Sequence, residues 1–203
     1  MIKEGDFIEI NYTGKLKDMV FDTTQPEVAK KSGLPGENLK PIRICVGKGS
    51  LLKGIEESII GKEVGDKFSI VLEPEKAFGK KTAKNIQLVP ISKFKKDGVN
   101  PQAGMKVQID GKIVVIKRVG GGRVLVDFNH PLAGKEVNYD ISIERLVSDT
   151  KEKLEMFIPI KFEYDDSTKT VEIDKIPVEL RSKMEKQIKD NVPEVIKVNF
   201  KGD

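Results

Sequence analysis

Asp6-Phe7-Ile8-Glu9-Ile10-Asn11-Tyr12 is the stretch on which the fold turns. It alternates with period two, which puts Ile8, Ile10 and Tyr12 on one face of a half-buried strand. Thr13-Gly14 interrupts the pattern, and Lys17-Asp18 supplies a tight turn before Met19-Val20-Phe21. Residues 22–41 carry Thr, Pro, Gly and Asn signals and read as a long loop, with an amphipathic turn at Glu27 to Lys31. Ile42 to Val46 is a further strand, closed by Gly47-Lys48-Gly49. Ser50 is placed to cap a helix from Leu51 to Ile60, ended by Gly61. Leu51, Leu52, Ile55, Ile59 and Ile60 fit a 3.6-residue period there. Val64-Gly65-Asp66 turns into a strand from Lys67 to Leu72, and Glu73-Pro74 ends it.

Residues 83–127 differ in charge. They hold nine Lys/Arg against three Asp, whereas residues 151–203 hold eleven Lys/Arg against twelve Asp/Glu. A basic island between near-neutral flanks implies a separate structural unit and an acidic partner for it. Its pattern is that of a small all-β unit: an apolar run from Ile86 to Phe94, a strand at Lys106 to Ile109, a hairpin turn at Asp110-Gly111, and strands at Ile113 to Val119 and Val124 to Phe128. Strand pattern returns from Glu136 to Leu146, and residues 148–153 read as a polar linker. The remainder reads as strand 154–163, turn Asp165-Asp166-Ser167, strand 169–174, helix 177–190 and strand 194–200. Val178, Leu180, Met184 and Ile188 give that helix one apolar face. One helix covers only one face of a three-stranded sheet, so 154–203 is expected to dock on something, most simply a second copy of itself in a homodimer, the alternative being its own N-terminal domain.

Composition removes several function classes. The chain has 203 residues, 38% hydrophobic and 33% charged, with a formal net charge of +4. Its longest apolar runs are far short of the ~20 residues a membrane helix needs, and the N-terminus lacks an apolar signal region. A soluble, cytoplasmic protein without membrane contact is expected. One cysteine, Cys45, and one histidine, His130, exclude a disulfide framework and a Cys- or His-rich metal site. No cofactor or metal is expected. No nucleophile–base pair or phosphate-binding loop stands out, and Gly120-Gly121-Gly122 reads as a hairpin loop. Glu56-Glu57 reads as a solvated pair on a helix surface. What remains is a set of apolar and aromatic residues bracketing a few polar ones, which suits binding a hydrophobic ligand better than bond-breaking chemistry.

Gly5-Asp6-Phe7-Ile8-Glu9-Ile10-Asn11-Tyr12-Thr13-Gly14 followed by Val20-Phe21-Asp22-Thr23-Thr24 resembles the opening of the FKBP-type peptidyl-prolyl cis-trans isomerases. Val46 to Glu57, Val64-Gly65-Asp66-Lys67 and Pro74-Glu75-Lys76-Ala77-Phe78-Gly79 follow at family spacing. Asn129-His130-Pro131-Leu132-Ala133-Gly134-Lys135 is similar to the signature of the SlyD-like and long archaeal branch, in which a chaperone domain is inserted. The resemblance implies an α+β fold: an antiparallel half-barrel sheet wrapped on a short helix, formed by 1–82 plus 128–150, with the inserted domain at 83–127 and a small C-terminal α+β domain at 154–203.

The resemblance also implies site roles. Asp22, Tyr12, Phe78 and Tyr139 would be the catalytic set. Phe21, Ile42, Leu51, Leu52, Ile55, His130 and Leu132 would contact the prolyl substrate, with the Leu52 N–H binding a carbonyl. Phe78 stands where a Tyr is usual and Ile55 where many relatives have Trp, which gives a less aromatic floor. The implied activity is isomerisation of X–Pro bonds in unfolded or nascent polypeptides, with chaperone activity in the insert. Val89, Pro90, Ile91 and Phe94, flanked by lysines, would form the client surface. The alternative is mainly a holdase with weak isomerase activity. Contact with nucleic acid or the ribosome rests on the charge of the basic island alone.

Overall fold

The computed structural model describes residues 1–202, which divide into two compact units, 1–70 with 138–202 and 71–137. The fold is mixed α+β. In the first unit the central strand is β1 (Phe7–Leu16). Along one side it pairs antiparallel with β9 (Val137–Leu146), from Ile8↔Leu146 to Lys15↔Asn138. Its other side is shared: Phe7 to Ile10 face β3 (Ile42–Cys45), and Thr13 to Leu16 face β2 (Met19–Thr23). β4 (Lys67–Leu72) pairs beyond β9. The strand therefore does not stop at Thr13-Gly14. Both residues pair on two sides, and a bulge at Gly14/Lys15 absorbs the irregularity.

Strand β9 keeps strict alternation, with Val137, Tyr139, Ile141 and Ile143 buried. β1 is buried on both faces at its start: Ile8 and Ile10 on one, Phe7 on the other. The helix α1 (Pro26–Lys31) lies in the expected loop. Helix α2 (Lys53–Ile59) begins later than the sequence suggests, and Ser50 does not cap it. Glu56, inside the helix, instead reaches back to the segment ahead of it. Its carboxylate accepts from the Leu51 N–H at 2.9 Å and the Gly49 N–H at 3.1 Å. Glu56 is thus buried and bonded, not solvated.

The expected polar linker is also a correction. Residues 150–155 form α4 (Thr150–Glu155), capped by the Asp149 carboxylate, which accepts from the Glu152 N–H. Arg145 on β9 grips Glu152 with two hydrogen bonds of 2.8 and 3.0 Å and reaches Glu9 at 2.9 Å. Arg43 on β3 pairs with Glu155 at 3.0 Å. After α4 the strand read at 154–163 is reduced to β10 (Phe162–Asp165). β11 (Thr170–Ile173), α5 (Val178–Asn191) and β12 (Lys197–Phe200) follow, with β11 paired antiparallel to β10 and parallel to β12. Leu154, Ile158, Val171, Ile173, Ile188, Val192 and Val195 pack in one core with Phe7 and Cys45, and the Phe7 and Phe157 rings meet edge-on at 6.0 Å. The apolar surface that prompted the expectation of a second copy is covered here by the chain's own β1 and β3. Val178 and Leu180 lie outside that core, exposed on α5.

The second unit is a sheet of β5 (Ile86–Pro90), β6 (Lys106–Ile109), β7 (Lys112–Gly120) and β8 (Arg123–Asp127), in order β5-β8-β7-β6 with antiparallel pairs throughout. It is not all-β. The run Ile91–Lys96 is a short helix, α3, which seats Phe94 among Val114, Ile116, Val124 and Val126. The Asp110-Gly111 turn has positive φ at both residues, 49° and 76°, as a tight two-residue hairpin requires. No helix among the described residues is long and apolar enough to cross a membrane.

Candidate functional site

Three neighbouring strands assemble the first half of the implied site. Gly14 on β1 lies opposite Asp22 on β2 and opposite Tyr139 on β9, so these positions form one row across the sheet. Tyr12, two residues before Gly14, shares their face by the strand's period of two. The Tyr12 hydroxyl donates to Asp22 Oδ2 at 2.9 Å. The Tyr12 and Tyr139 rings lie 5.9 Å apart at a tilt, and Phe21 meets Tyr139 edge-on at 5.9 Å. Gly14 makes this approach feasible: a Cβ there would sit 2.9 Å from ring carbons of both Phe21 and Tyr139.

The electrostatics follow from burial. Tyr12 is pushed up to about 12, first by loss of water and then by the bond to Asp22. Tyr139 is raised too, by burial first and then by the charge of Asp22. Both phenols are therefore firmly protonated near neutrality, and Asp22 is the exposed anionic group at this cluster. Two buried threonines hold its strand end. Thr24 Oγ1 accepts from the Tyr12 N–H at 2.9 Å and donates to Asn11 Oδ1 at 2.8 Å. Thr23 Oγ1 sits 2.9 Å from Thr13 Oγ1 and donates to the Tyr12 carbonyl at 3.1 Å.

The remaining implied residues of this unit fall as follows. Ile42 is half-buried on β3 opposite Ile10. Leu51 and Leu52 are half-buried ahead of α2, and Ile55 is buried in its first turn. The Leu52 carbonyl accepts from the Ile55 and Glu56 N–H groups, so Leu52 opens the helix and its own N–H stands outside the helical ladder.

Phe78, His130 and Leu132 belong to the second unit. The rings of Phe78 and His130 stack in parallel with centroids 4.4 Å apart, and His130 Nδ1 accepts from the Leu132 N–H at 3.2 Å. Next to them Asn129 is a buried junction. Its amide accepts from the Thr82 N–H, donates to the Thr82 carbonyl, and donates to Asp127 Oδ1 at 2.7 Å. The Thr82 bonds join the segment entering the basic sheet to the one leaving it, and the Asn129 bonds hold the Asp127 carboxyl below its usual range despite burial. The implied client residues divide. Val89 and Phe94 line a cleft of about 520 Å³ with Val107, Ile109 and Phe128, edged by Lys93, Lys112, Asp97 and Asp110. Phe94 is only 5% exposed, so it belongs to the core more than to the surface. Ile91 packs against that core, and Pro90 is exposed on β5.

Sequence reasoning passed over Gly14, the two threonines, Glu56 and Asn129. The glycine had a signal in its interruption of an apolar alternation. The others act through side-chain bonds to residues distant in sequence.

Comparison with known proteins bears on the same residues. A model of the family described as FKBP-type peptidyl-prolyl cis-trans isomerase matches residues 1–95, and one described as FKBP26, IF domain, matches residues 87–132. The short-type peptidyl-prolyl cis-trans isomerase of Methanocaldococcus jannaschii is 37% identical over 145 residues, covering 70% of this chain and 92% of that protein. The FKBP-type 16 kDa peptidyl-prolyl cis-trans isomerase of Escherichia coli K12 is 33% identical over 147 residues, covering 70% and 91%. The FKBP-type peptidyl-prolyl cis-trans isomerase SlyD of Haemophilus influenzae is 36% identical over 109 residues, covering 51% and 56%. A chain that spans more than nine-tenths of two such isomerases at these identities, and carries the Tyr–Asp bond and aromatic row on the matched strands, belongs to the FKBP-type peptidyl-prolyl cis-trans isomerases.

Proposed function

We propose that the chain turns X–Pro bonds in unfolded and partly folded polypeptides, and that residues 83–127 hold the client while 1–82 with 128–150 act on it. The observation that carries the catalytic part is the Tyr12–Asp22 hydrogen bond set beside the Phe21 and Tyr139 rings. Rotation about a peptide bond costs about 18–20 kcal/mol because planarity preserves amide resonance. X–Pro bonds populate both isomers but exchange slowly, over roughly tens to hundreds of seconds. A catalyst here makes and breaks no covalent bond. It binds the twisted amide better than the planar one.

The aromatic row strips water from the prolyl carbonyl, which costs the charge-separated planar form more than the twisted one. Asp22, oriented by Tyr12, supplies a fixed charge beside the carbonyl carbon, and the Leu52 N–H holds a substrate carbonyl. Ile42, Leu51 and Ile55 fill the apolar lining. The roles of Phe78, His130 and Leu132 rest on the family resemblance and on the stack that fixes the His130 ring. For client holding, support comes from the apolar cleft with Val89 and Phe94 and from the excess of Lys/Arg in 83–127. A holdase with weak isomerase activity is the competing reading.

Two assays on the full chain separate them. Asp22→Ala should lower kcat/KM on a prolyl tetrapeptide by about ten- to hundredfold with KM little changed, the size expected for a preorganised charge. An unchanged rate would remove Asp22 from the mechanism. A permanently unfolded, proline-free protein should compete in catalysed refolding of a proline-limited protein and spare tetrapeptide turnover. Equal inhibition of both would mean a single binding place, and inhibition of neither would end the client-holding reading.

A further inference from the structure

The sheet of the second unit has two unlike faces: α3 closes part of one, where the Val89 and Phe94 cleft lies, and no element among the described residues packs on the other. Val114, Ile116, Val124 and Val126 point to the side closed by α3 and Phe94. The alternate positions form the open side. Pairing places Leu88, Leu125 and Arg118 in one row across three strands. Beside it lie Pro90 opposite Arg123, and Val115 opposite Lys106. Leu88 is 58% exposed and Ile113, on the same face, 62%. Exposed aliphatic side chains grouped on an open sheet face mark an interaction surface.

Its charge is one-sided. Lys106, Arg118 and Arg123 are exposed and have no ion-pair partner among the described residues. Asp127 is the carboxylate on this face among the described residues. It is 5% exposed and engaged by Asn129, with Lys117 at 3.8 Å. Every accessible charge on this face is therefore positive.

We infer that the open face of the β5–β8 sheet docks extended polypeptide segments whose aliphatic core is flanked by acidic residues. The inference rests on the client-holding reading above and names the class of client. A segment of this kind brings apolar side chains to Leu88, Ile113 and Leu125 and carboxylates to the three unpaired cations. A second copy of the same face brings cations against cations. A nucleic acid finds no aromatic ring here on which to stack its bases.

Two unstructured, proline-free fluorescent peptides test this on the full chain. They share an aliphatic core and differ in glutamate or lysine flanks. The glutamate peptide should bind roughly tenfold more tightly at low ionic strength, the size that a few exposed charge pairs give together. The ratio should fall toward one at about 1 M salt, where the screening length is about 3 Å. Arg118→Glu with Arg123→Glu should reverse the preference while tetrapeptide isomerisation stays unchanged. Leu88→Ser with Ile113→Ser should weaken both peptides. Equal affinities, or a preference indifferent to charge reversal, would overturn the inference. So would displacement of the glutamate peptide by a single-stranded oligonucleotide at the same concentration, which would make nucleic acid the occupant. If neither peptide binds but the chain still suppresses aggregation of an unfolded protein, this face is not the dock and client holding stands. If neither happens, client holding falls and takes this inference with it.

Discussion

Gly14→Ala tests the aromatic row at the point where it is tightest. Gly14 is buried and its backbone lies outside the left-handed region, so alanine meets no conformational bar there. The added methyl would stand 2.9 Å from two ring carbons of Phe21 and one of Tyr139. Carbon pairs prefer about 3.5–4.0 Å, so the rings must give way by roughly half an ångström or more. Overpacking of this kind costs about 1–3 kcal/mol. Alanine returns about 0.4–1 kcal/mol by restricting the unfolded chain. The expected net loss is about 1–2 kcal/mol, read as a lower urea midpoint with an unchanged slope. Tetrapeptide kcat/KM should fall with it, because Phe21 and Tyr139 no longer stand beside Asp22. Adding Phe21→Leu should recover part of the stability, giving a coupling of about 1 kcal/mol in the double-mutant cycle. A neutral or stabilising Gly14→Ala with intact turnover would refute the packing of these rings over β1.

Further tests reach other parts of the chain. Tyr12 has a folded-state value of about 12 against an ordinary 10, so the fold prefers the protonated phenol. Its contribution of about 1–3 kcal/mol is fully present below pH 10 and is lost as pH rises through 12. Urea midpoints measured from pH 9 to 12 should fall, and fall less in Tyr12→Phe, where only the Tyr139 share remains. Glu56→Ala strips the acceptor from the Gly49 and Leu51 amides and should cost about 2–4 kcal/mol. KM for the tetrapeptide should rise as Leu51 and Leu52 loosen, and an unchanged KM would count against their contact with substrate. Asn129→Ala leaves Asp127 and both Thr82 backbone groups short of partners. Amide exchange should accelerate through 82–85 and 127–129, with far less change in β1 and β9.

The parts legible in the sequence were those with local cause. The alternation of β9 and the Ile8/Ile10 face of β1 follow from apolar spacing alone, and the Asp110-Gly111 hairpin from turn chemistry. The rest depended on partners far along the chain. Residues 150–155 look like a linker because their charges are answered by Arg43 and Arg145 on the sheet. Helix α2 starts late because Glu56 folds back on Gly49 and Leu51, a bond that an outward-facing carboxylate pattern does not announce. Ile86 to Phe94 read as one apolar, partly exposed run, yet α3 turns Phe94 into the core. Tyr12 and Asp22 were legible as a motif, but their hydrogen bond needed the β1–β2 register. The Gly14 contact needed β9 as well.

The pairing of β1 has a temporal side. Ile8 meets Leu146 and Lys15 meets Asn138, so the central strand waits for a partner more than 120 residues downstream. At roughly 5–20 residues per second, the ribosome takes on the order of ten seconds to deliver it. The basic sheet closes through consecutive hairpins β6–β7–β8 and has short loops to pay for, so its strands are complete before β9 exists. During that interval Phe7, Ile8 and Ile10 lack the β9 side of their sheet. The newly made chain thus completes the β5–β8 sheet while its first sheet still lacks the β9 strand.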